Sequence, residues 1–280
     1  MRWTPGGSSR NVEDRRGMGG FGKAGVGVGG GLILLVLSLL FGRDFVTDST
    51  TTGDATAVSS GEVASSPEED RLVQFVTFVL NDVQDTWRKK LSDQRVPYED
   101  AKLVLFRDVT ESGCGVAQSA MGPFYCPLDE KVYIDLGFYD ELRRRFGAPG
   151  DFAQAYVIAH ELGHHVQHLL GIDAQARRRQ QANPEMANAV SVRLELQADC
   201  LAGVWGHSTE QRRILEQGDI EEGLNAAASV GDDRIQRSTT GRVNTETFTH
   251  GSAAQRSAWF RRGLSTGSVE SCDTFADRGP

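Results

Sequence analysis

Residues 160–164 read His-Glu-Leu-Gly-His, an H-E-x-x-H pattern. On a helix, residues four apart stand one above the other, so the imidazoles of His160 and His164 can converge on one ion with Glu161 beside them. Two neutral imidazoles suit Zn²⁺, whose catalytic sites keep an open position for water and bring its pKa down to about 7. Glu161 is placed to take a proton from that water and hand it to a leaving amine. Phe152, Tyr156, Val157, Ile158, Leu162, Val166 and Leu169 supply the apolar spacing of a helix around the motif. A metzincin would carry glycine at 167 and histidine at 170; Gln167 and Leu170 exclude that class. His168 lies eight residues beyond His160, about 12 Å along the axis, too far to share an ion with it, and His165 points to a different face. Both read as surface histidines or as supports behind the ligands.

The third ligand has to come from another segment. Leu194-Glu-Leu-Gln-Ala-Asp-Cys200 continues a helical pattern through Met186, Val190, Leu194, Ala198 and Leu201, with Glu195 and Asp199 four apart on one face. An acidic pair of this kind is ordinarily a solvated face. Behind an H-E-x-x-H helix, and flanked by leucine and alanine, Glu195 reads instead as the third ligand. Asp199 reads as the acceptor of a ligand histidine's N–H, which fixes the tautomer.

The elements that must position these groups follow from punctuation and periodicity. Ser66-Pro67-Glu68-Glu69 has the form of a helix start, with serine as N-cap, and Leu72, Phe75, Val76, Val79, Leu80, Val83 and Trp87 carry the helix to about Leu91. Lys102–Arg107 reads as a strand, with weaker strands at Val116–Ala117, Phe124–Tyr125 and Lys131–Asp135. Helical patterns then dominate near 138–146, 151–170, 184–206, 209–217, 219–230 and 253–262. The expectation is an α+β domain over 67–280, mostly helical with a small sheet. Lys131–Asp135 is expected at a sheet edge, where an extended peptide could add as a further strand.

The residues HELGHHVQ, LELQADCLAGVW and the head MRWTPGGSSRNVEDRRG resemble the bacterial neutral zinc metallopeptidases of the YpfJ type. SGCGVAQSAMGPFYCPLDEKVYIDLGFYDEL, ASVGDDRIQ and FTHGS are similar to the same family, so the likeness spans the chain's head and nearly all of 67–280. It implies a membrane-anchored zinc peptidase with a gluzincin-like domain, with His160, His164 and Glu195 as ligands, Glu161 as general base and Asp199 as the acid behind the ligands. The 31 positions between His164 and Glu195 exceed the spacing of thermolysin-like enzymes. His250, in Phe248-Thr-His-Gly, has two readings: a catalytic group that stabilises the oxyanion or binds substrate, and a structural loop histidine.

Charge and cysteine content set the compartment. The chain of 280 residues carries 30 Lys+Arg against 38 Asp+Glu, and its mean hydropathy of -0.35 excludes a multi-span membrane protein. Residues 1–43 hold six bases and two acids, leaving 24 bases against 36 acids in the rest, a balance that argues against nucleic acid as partner. No charge occurs between Lys23 and Arg43, and a helix over that stretch would rise about 28 Å, close to a bilayer's hydrocarbon thickness. The following Phe41-Gly-Arg-Asp-Phe45 is a poor cleavage site, so the stretch reads as a retained anchor rather than a signal peptide. The expected organisation is a basic cytoplasmic head (1–23), a transmembrane anchor (24–42), a flexible linker (43–66) and a periplasmic or extracellular catalytic domain (67–280). Cys114, Cys126, Cys200 and Cys272 fit two disulfides of an oxidising compartment, with three connectivities open. Cys114 and Cys126 bracket a stretch able to fold back, which would leave Cys200 and Cys272 to staple the C-terminal tail to a central helix. The reading that joins these features is a single-pass, N-in zinc metallopeptidase acting on peptides or proteins. Its rivals are a non-enzymatic envelope-protein or peptide-binding zincin-like module and a zinc amidase with a non-peptide substrate.

Overall fold

The computed structural model describes residues 1–5, 9–17, 66–93 and 95–276. Strand β1 (Val12–Asp14) is followed by helix α1 (Pro67–Asp93), strands β2 (Lys102–Phe106), β3 (Val109–Ser112), β4 (Gly115–Gln118), β5 (Phe124–Cys126) and β6 (Lys131–Asp135), and then by helices. The helices are α2 (Phe138–Arg144), α3 (Asp151–Leu169), α4 (Ile172–Ala182), α5 (Ala187–Gln211), α6 (Asp219–Ser229), α7 (Asp232–Thr240) and α8 (Ala253–Thr266). The α+β expectation holds, with α1 opening on the expected capping box: Ser66 Oγ accepts from the Glu69 N–H, and Glu69 accepts from the Ser66 N–H.

The main sheet has the order β1-β2-β6-β5, with β1, β2 and β6 parallel and β5 antiparallel at one edge; β3 and β4 form a separate hairpin. Leu103, Leu105, Val132 and Ile134 face the helices and join α1 and α3 in the larger core. Val104, Phe106 and Tyr133 alternate to the other face, where Ala117, Cys126 and Phe124 cover them. Strand β6 is therefore buried on both faces and hydrogen-bonded on both sides. This corrects the expectation that Lys131–Asp135 is the edge. The free edge beside the helices belongs to β5, whose three residues were too few to carry a strong periodic signal.

Helix α3 runs through the helical layer against α1, α5 and α6, while α5 and α8 lie against each other so closely that glycine is required at the crossing. A Cβ at Gly263 would stand 1.9 Å from the Cys200 carbonyl oxygen, and one at Gly203 would stand 2.1 Å from that of Phe260. The disulfide Cys200–Cys272 fixes the segment after α8 to α5, and Cys114–Cys126 ties the β3–β4 hairpin to β5.

The sequence sets residues 1–23 apart as a cytoplasmic segment and begins the domain at 67. In the structure the described part of that head belongs to the body. The Met1 ammonium is paired with Asp151 at 2.6 Å and Asp219 at 3.3 Å, Trp3 stacks edge-on against Phe75, and β1 pairs with β2 over Val12–Asp14. Glu13 accepts from Lys131 at 2.9 Å and from Arg15 at 2.7 Å. Three residues are too short a strand to register as one, and their charges conceal it, because those charges pair within the sheet's rim. The expected anchor, 24–42, lies outside the described residues; among those described, no helix is long and apolar enough to cross a membrane.

Two measurements follow from the docked head. Cysteines introduced singly at the exposed positions Arg10 and Lys89 should react alike with a membrane-impermeant maleimide in intact cells; labelling of one without the other would show that head and body part. Burial favours the neutral form of Glu13, but hydrogen bonds from Lys131, Arg15 and Lys102 outweigh it and hold its pKa down at about 2 against an ordinary 4.5. Its contribution to stability is thus complete above about 4.5 and lost as pH falls toward 2. The melting-temperature gap between wild type and Glu13→Gln should accordingly close over that interval, and a gap independent of pH would contradict the pairing.

Candidate metal centre

Helix α3 carries His160 and His164 one turn apart, and α5 crosses it to present Glu195. Gly163 permits the crossing: a Cβ there would lie 3.0 Å from the Ala198 carbonyl oxygen. The His160 Nε2 stands 3.2 Å from Glu195 Oε2, and the His164 Nε2 stands 3.4 Å from Glu195 Oε1. Ligands of a tetrahedral zinc at about 2.0–2.1 Å lie about 3.3 Å from one another, so these spacings and this N₂O donor set fit the ion. The three residues brought together are those the sequence marked as ligands.

Each imidazole is oriented from behind. Asp199, fully buried, takes the His160 Nδ1–H at 2.9 Å on Oδ1. The Gln167 amide nitrogen donates to the Leu194 carbonyl and to Gln197 Oε1, so its own Oε1 is the acceptor for the His164 Nδ1–H at 2.8 Å. Both rings thereby turn Nε2 toward Glu195. Asp199 has its sequence-expected place; Gln167, which served in the sequence only to exclude a class, proves to be the orienting partner of His164.

Burial raises the cost of every charge here, and the pairing decides the outcome. Burial pushes the Glu195 carboxyl up, but the charge of His164 and hydrogen bonds from both histidines hold it well below the usual carboxylate range. Burial likewise opposes ionisation of Asp199, and is outweighed by the Arg256 charge and the His160 hydrogen bond. For His160, burial disfavours the cation, while Asp199 and Glu195 push its pKa up to about 10. Glu161 differs in direction: burial raises its pKa, with the adjacent imidazoles only partly offsetting it. A carboxylate poised above its ordinary range is a better proton acceptor near neutrality than a solvated one.

The centre opens into a cleft of about 470 Å³. Phe124 and Tyr125 of the edge strand β5, Phe138 of α2 and Val157 of α3 give it an apolar wall. His250 also lines the cleft, half exposed, in a loop held by Asp232: the backbone N–H groups of Thr249, His250 and Gly251 donate to Asp232 Oδ2 at 2.8, 2.7 and 3.0 Å. His250 Nδ1 meets Asp232 Oδ1 at 3.2 Å. The other histidines are structural. His165 is fully buried, donating from Nε2 to the Glu99 carbonyl and accepting at Nδ1 from the Tyr125 hydroxyl, and His168 pairs with Asp173.

Sequence reasoning missed Arg256, whose guanidinium lies against Asp199. The available signal was an arginine in register with Phe260 and Leu264 on the buried stripe of α8, a place where a cation needs a partner. Asp232, which holds the His250 loop, also has no role in the sequence reading.

The family described as "Putative neutral zinc metallopeptidase" matches this chain over residues 1–275, and the chain belongs to that family. The protein named uncharacterized protein YpfJ, of Escherichia coli (strain K12), is 49% identical over 284 residues, covering 98% of this chain and 99% of the relative. Uncharacterized protein Rv2575 of Mycobacterium tuberculosis (strain H37Rv) is 45% identical over 221 residues, covering 75% of this chain and 73% of the relative. No solved structure matches the chain.

If Gln167 orients His164, Gln167→Ala should weaken zinc binding about 10-fold or more, measured by competition with a chromophoric chelator. Unchanged affinity in a folded variant would mean that His164 keeps its orientation without it.

Proposed function

We propose that this member of the family is a zinc-dependent peptidase of the H-E-x-x-H, gluzincin-like kind, with His160, His164 and Glu195 as the metal ligands and Glu161 as general base. The observation that carries the reading is the convergence of two imidazole Nε2 atoms and one carboxylate at 3.2 and 3.4 Å, beside a buried glutamate of raised pKa in an open cleft. A metal used for structure alone has no need of that glutamate.

Zinc held by these ligands supplies Lewis acidity, activating a water at neutral pH and polarising the scissile carbonyl. Glu161 accepts the proton of the attacking water and delivers it to the departing amine. His250, which lines the cleft and is held by Asp232, is the candidate to donate an N–H to the developing oxyanion. The outer edge of β5 offers backbone groups to an extended peptide, in place of β6, with Phe124, Phe138 and Val157 receiving apolar side chains.

The two disulfides support an oxidising compartment, periplasmic or extracellular, for this body. The uncharged stretch 24–42 supports attachment to a membrane, and the docked head favours an arrangement with residues 1–17 on the same side as the body. The net acidity of the body leaves peptides and proteins, not nucleic acid, as the proposed substrates.

The test pairs metal content with turnover on a peptide library. Wild type is expected to bind about one zinc per chain and to cleave; His160→Ala should lose the metal. Glu161→Gln should keep the metal and lose activity by about 10²-fold or more. Full activity in Glu161→Gln would overturn the mechanism.

A further inference from the structure

Beside His160, at the border of the cleft, the first turn of α8 delivers Arg256. Its side chain is 3% exposed, and all three guanidinium nitrogens have partners. Nε donates to Asp199 Oδ2 at 2.8 Å and Nη2 to Asp199 Oδ1 at 2.9 Å, a two-point fork on one carboxylate. Nη2 also reaches the Tyr156 hydroxyl at 3.3 Å, and Nη1 reaches the Val230 carbonyl at 3.3 Å. Tyr156 in turn donates its hydroxyl hydrogen to Asp199 Oδ1. The Arg256 Nη2 also stands 3.4 Å from both ring nitrogens of His160 and 3.7 Å from Glu195 Oε2, so its shortest contacts are those to Asp199 and Tyr156.

The geometry of the fork matters more than the charge alone. A carboxylate bound at one oxygen can still swing about its Cβ–Cγ bond. Two parallel N–H donors from a rigid plane remove that freedom and set where the Oδ1 lone pairs point. Oδ1 is the atom that receives the His160 Nδ1–H. The plane of Arg256 therefore sets the plane of Asp199, which sets the rotation of the His160 ring about its own bond and hence the direction of Nε2. Val230 and Tyr156 immobilise the guanidinium itself, the first from the segment after α6 and the second from α3. The same loop-to-helix stretch also carries His250 six residues earlier, and both residues border the cleft.

We propose that Arg256 is a positioning residue for the metal centre, acting through Asp199 to hold His160 in its ligating orientation. The inference rests on the reading of His160 as a ligand, and the experiment separates the two. Zinc affinity is measured by chelator competition for wild type, Arg256→Gln, Arg256→Lys, Asp199→Ala and the Arg256→Gln/Asp199→Ala double variant of the full chain. Melting temperatures are recorded beside them. Arg256→Gln should weaken zinc binding about 10- to 100-fold. Arg256→Lys should restore only part of the loss, because an ammonium cannot span both oxygens in one plane. In the Asp199→Ala background, Arg256→Gln should weaken binding no further.

Two results would overturn the proposal: a fall in melting temperature with zinc affinity unchanged, or losses from the two single variants that multiply in the double. A zinc-independent readout covers failure of the ligand reading. With ¹⁵N-labelled histidine, the hydrogen-bonded His160 Nδ1–H proton should give a downfield resonance in wild type. It should weaken or disappear in Arg256→Gln and return in part in Arg256→Lys. If wild type binds no zinc, the metalloenzyme reading fails and this resonance alone decides; its persistence unchanged in Arg256→Gln would show that Arg256 does not position His160.

Discussion

Two imidazoles and a carboxylate can face one point inside a protein only if the rest of each group is satisfied elsewhere. That constraint governs this molecule. A buried polar atom without a partner costs about 1–3 kcal/mol, and an unpaired buried charge costs more. The centre meets this demand by chaining partners outward: His160 to Asp199, Asp199 to Arg256 and Tyr156, and Arg256 to the Val230 carbonyl. A second chain runs from His164 to Gln167, and from Gln167 to Leu194 and Gln197. Much of the helical layer exists to bring these partners within reach. The close crossings at Gly163 and at Gly203–Gly263 follow from it, since a side chain at any of them would push apart helices that carry the network.

The division of labour between helices and sheet follows from the same demand. Helices present groups four residues apart on one face at fixed spacing, which suits ligands and their supports. The sheet supplies a wall and an edge. Its inner strands are buried on both faces and serve the core, while β5, short and antiparallel, lines the cleft with Phe124 and Tyr125. Tyr125 also reaches back to the buried His165, so the wall of the cleft and the ligand helix are joined by a hydrogen bond.

The cluster proposed as the ligand set was legible because its parts are local. His160, Glu161 and His164 share one helical turn, and Glu195 and Asp199 share another, so spacing puts each group on one helix face. The capping box at Ser66 and the helix from Pro67 were readable for the same reason. What could not be read is what depends on contacts distant in sequence. Arg256 acquires its role from Asp199, 57 positions away, and β1 becomes a strand only because β2 is there to pair with it. The ordering of β6 and β5 in the sheet was misjudged because a run such as Lys-Val-Tyr-Ile-Asp has the same alternation at an edge as in the middle of a sheet. Composition counts the charges of the head but does not reveal that Glu13, Arg15 and Lys131 form a cluster that fastens β1 down.

The central claim is that His160, His164 and Glu195 together hold zinc. X-ray absorption at the zinc edge, on the full chain purified without chelators or added metal, addresses it directly. The account predicts about one zinc per chain in a first shell of two imidazole nitrogens and carboxylate or water oxygens at about 2.0–2.1 Å, with no sulfur. A zinc–sulfur distance of about 2.3 Å, a single imidazole in the shell, or a protein that binds no zinc when the ion is supplied would contradict it.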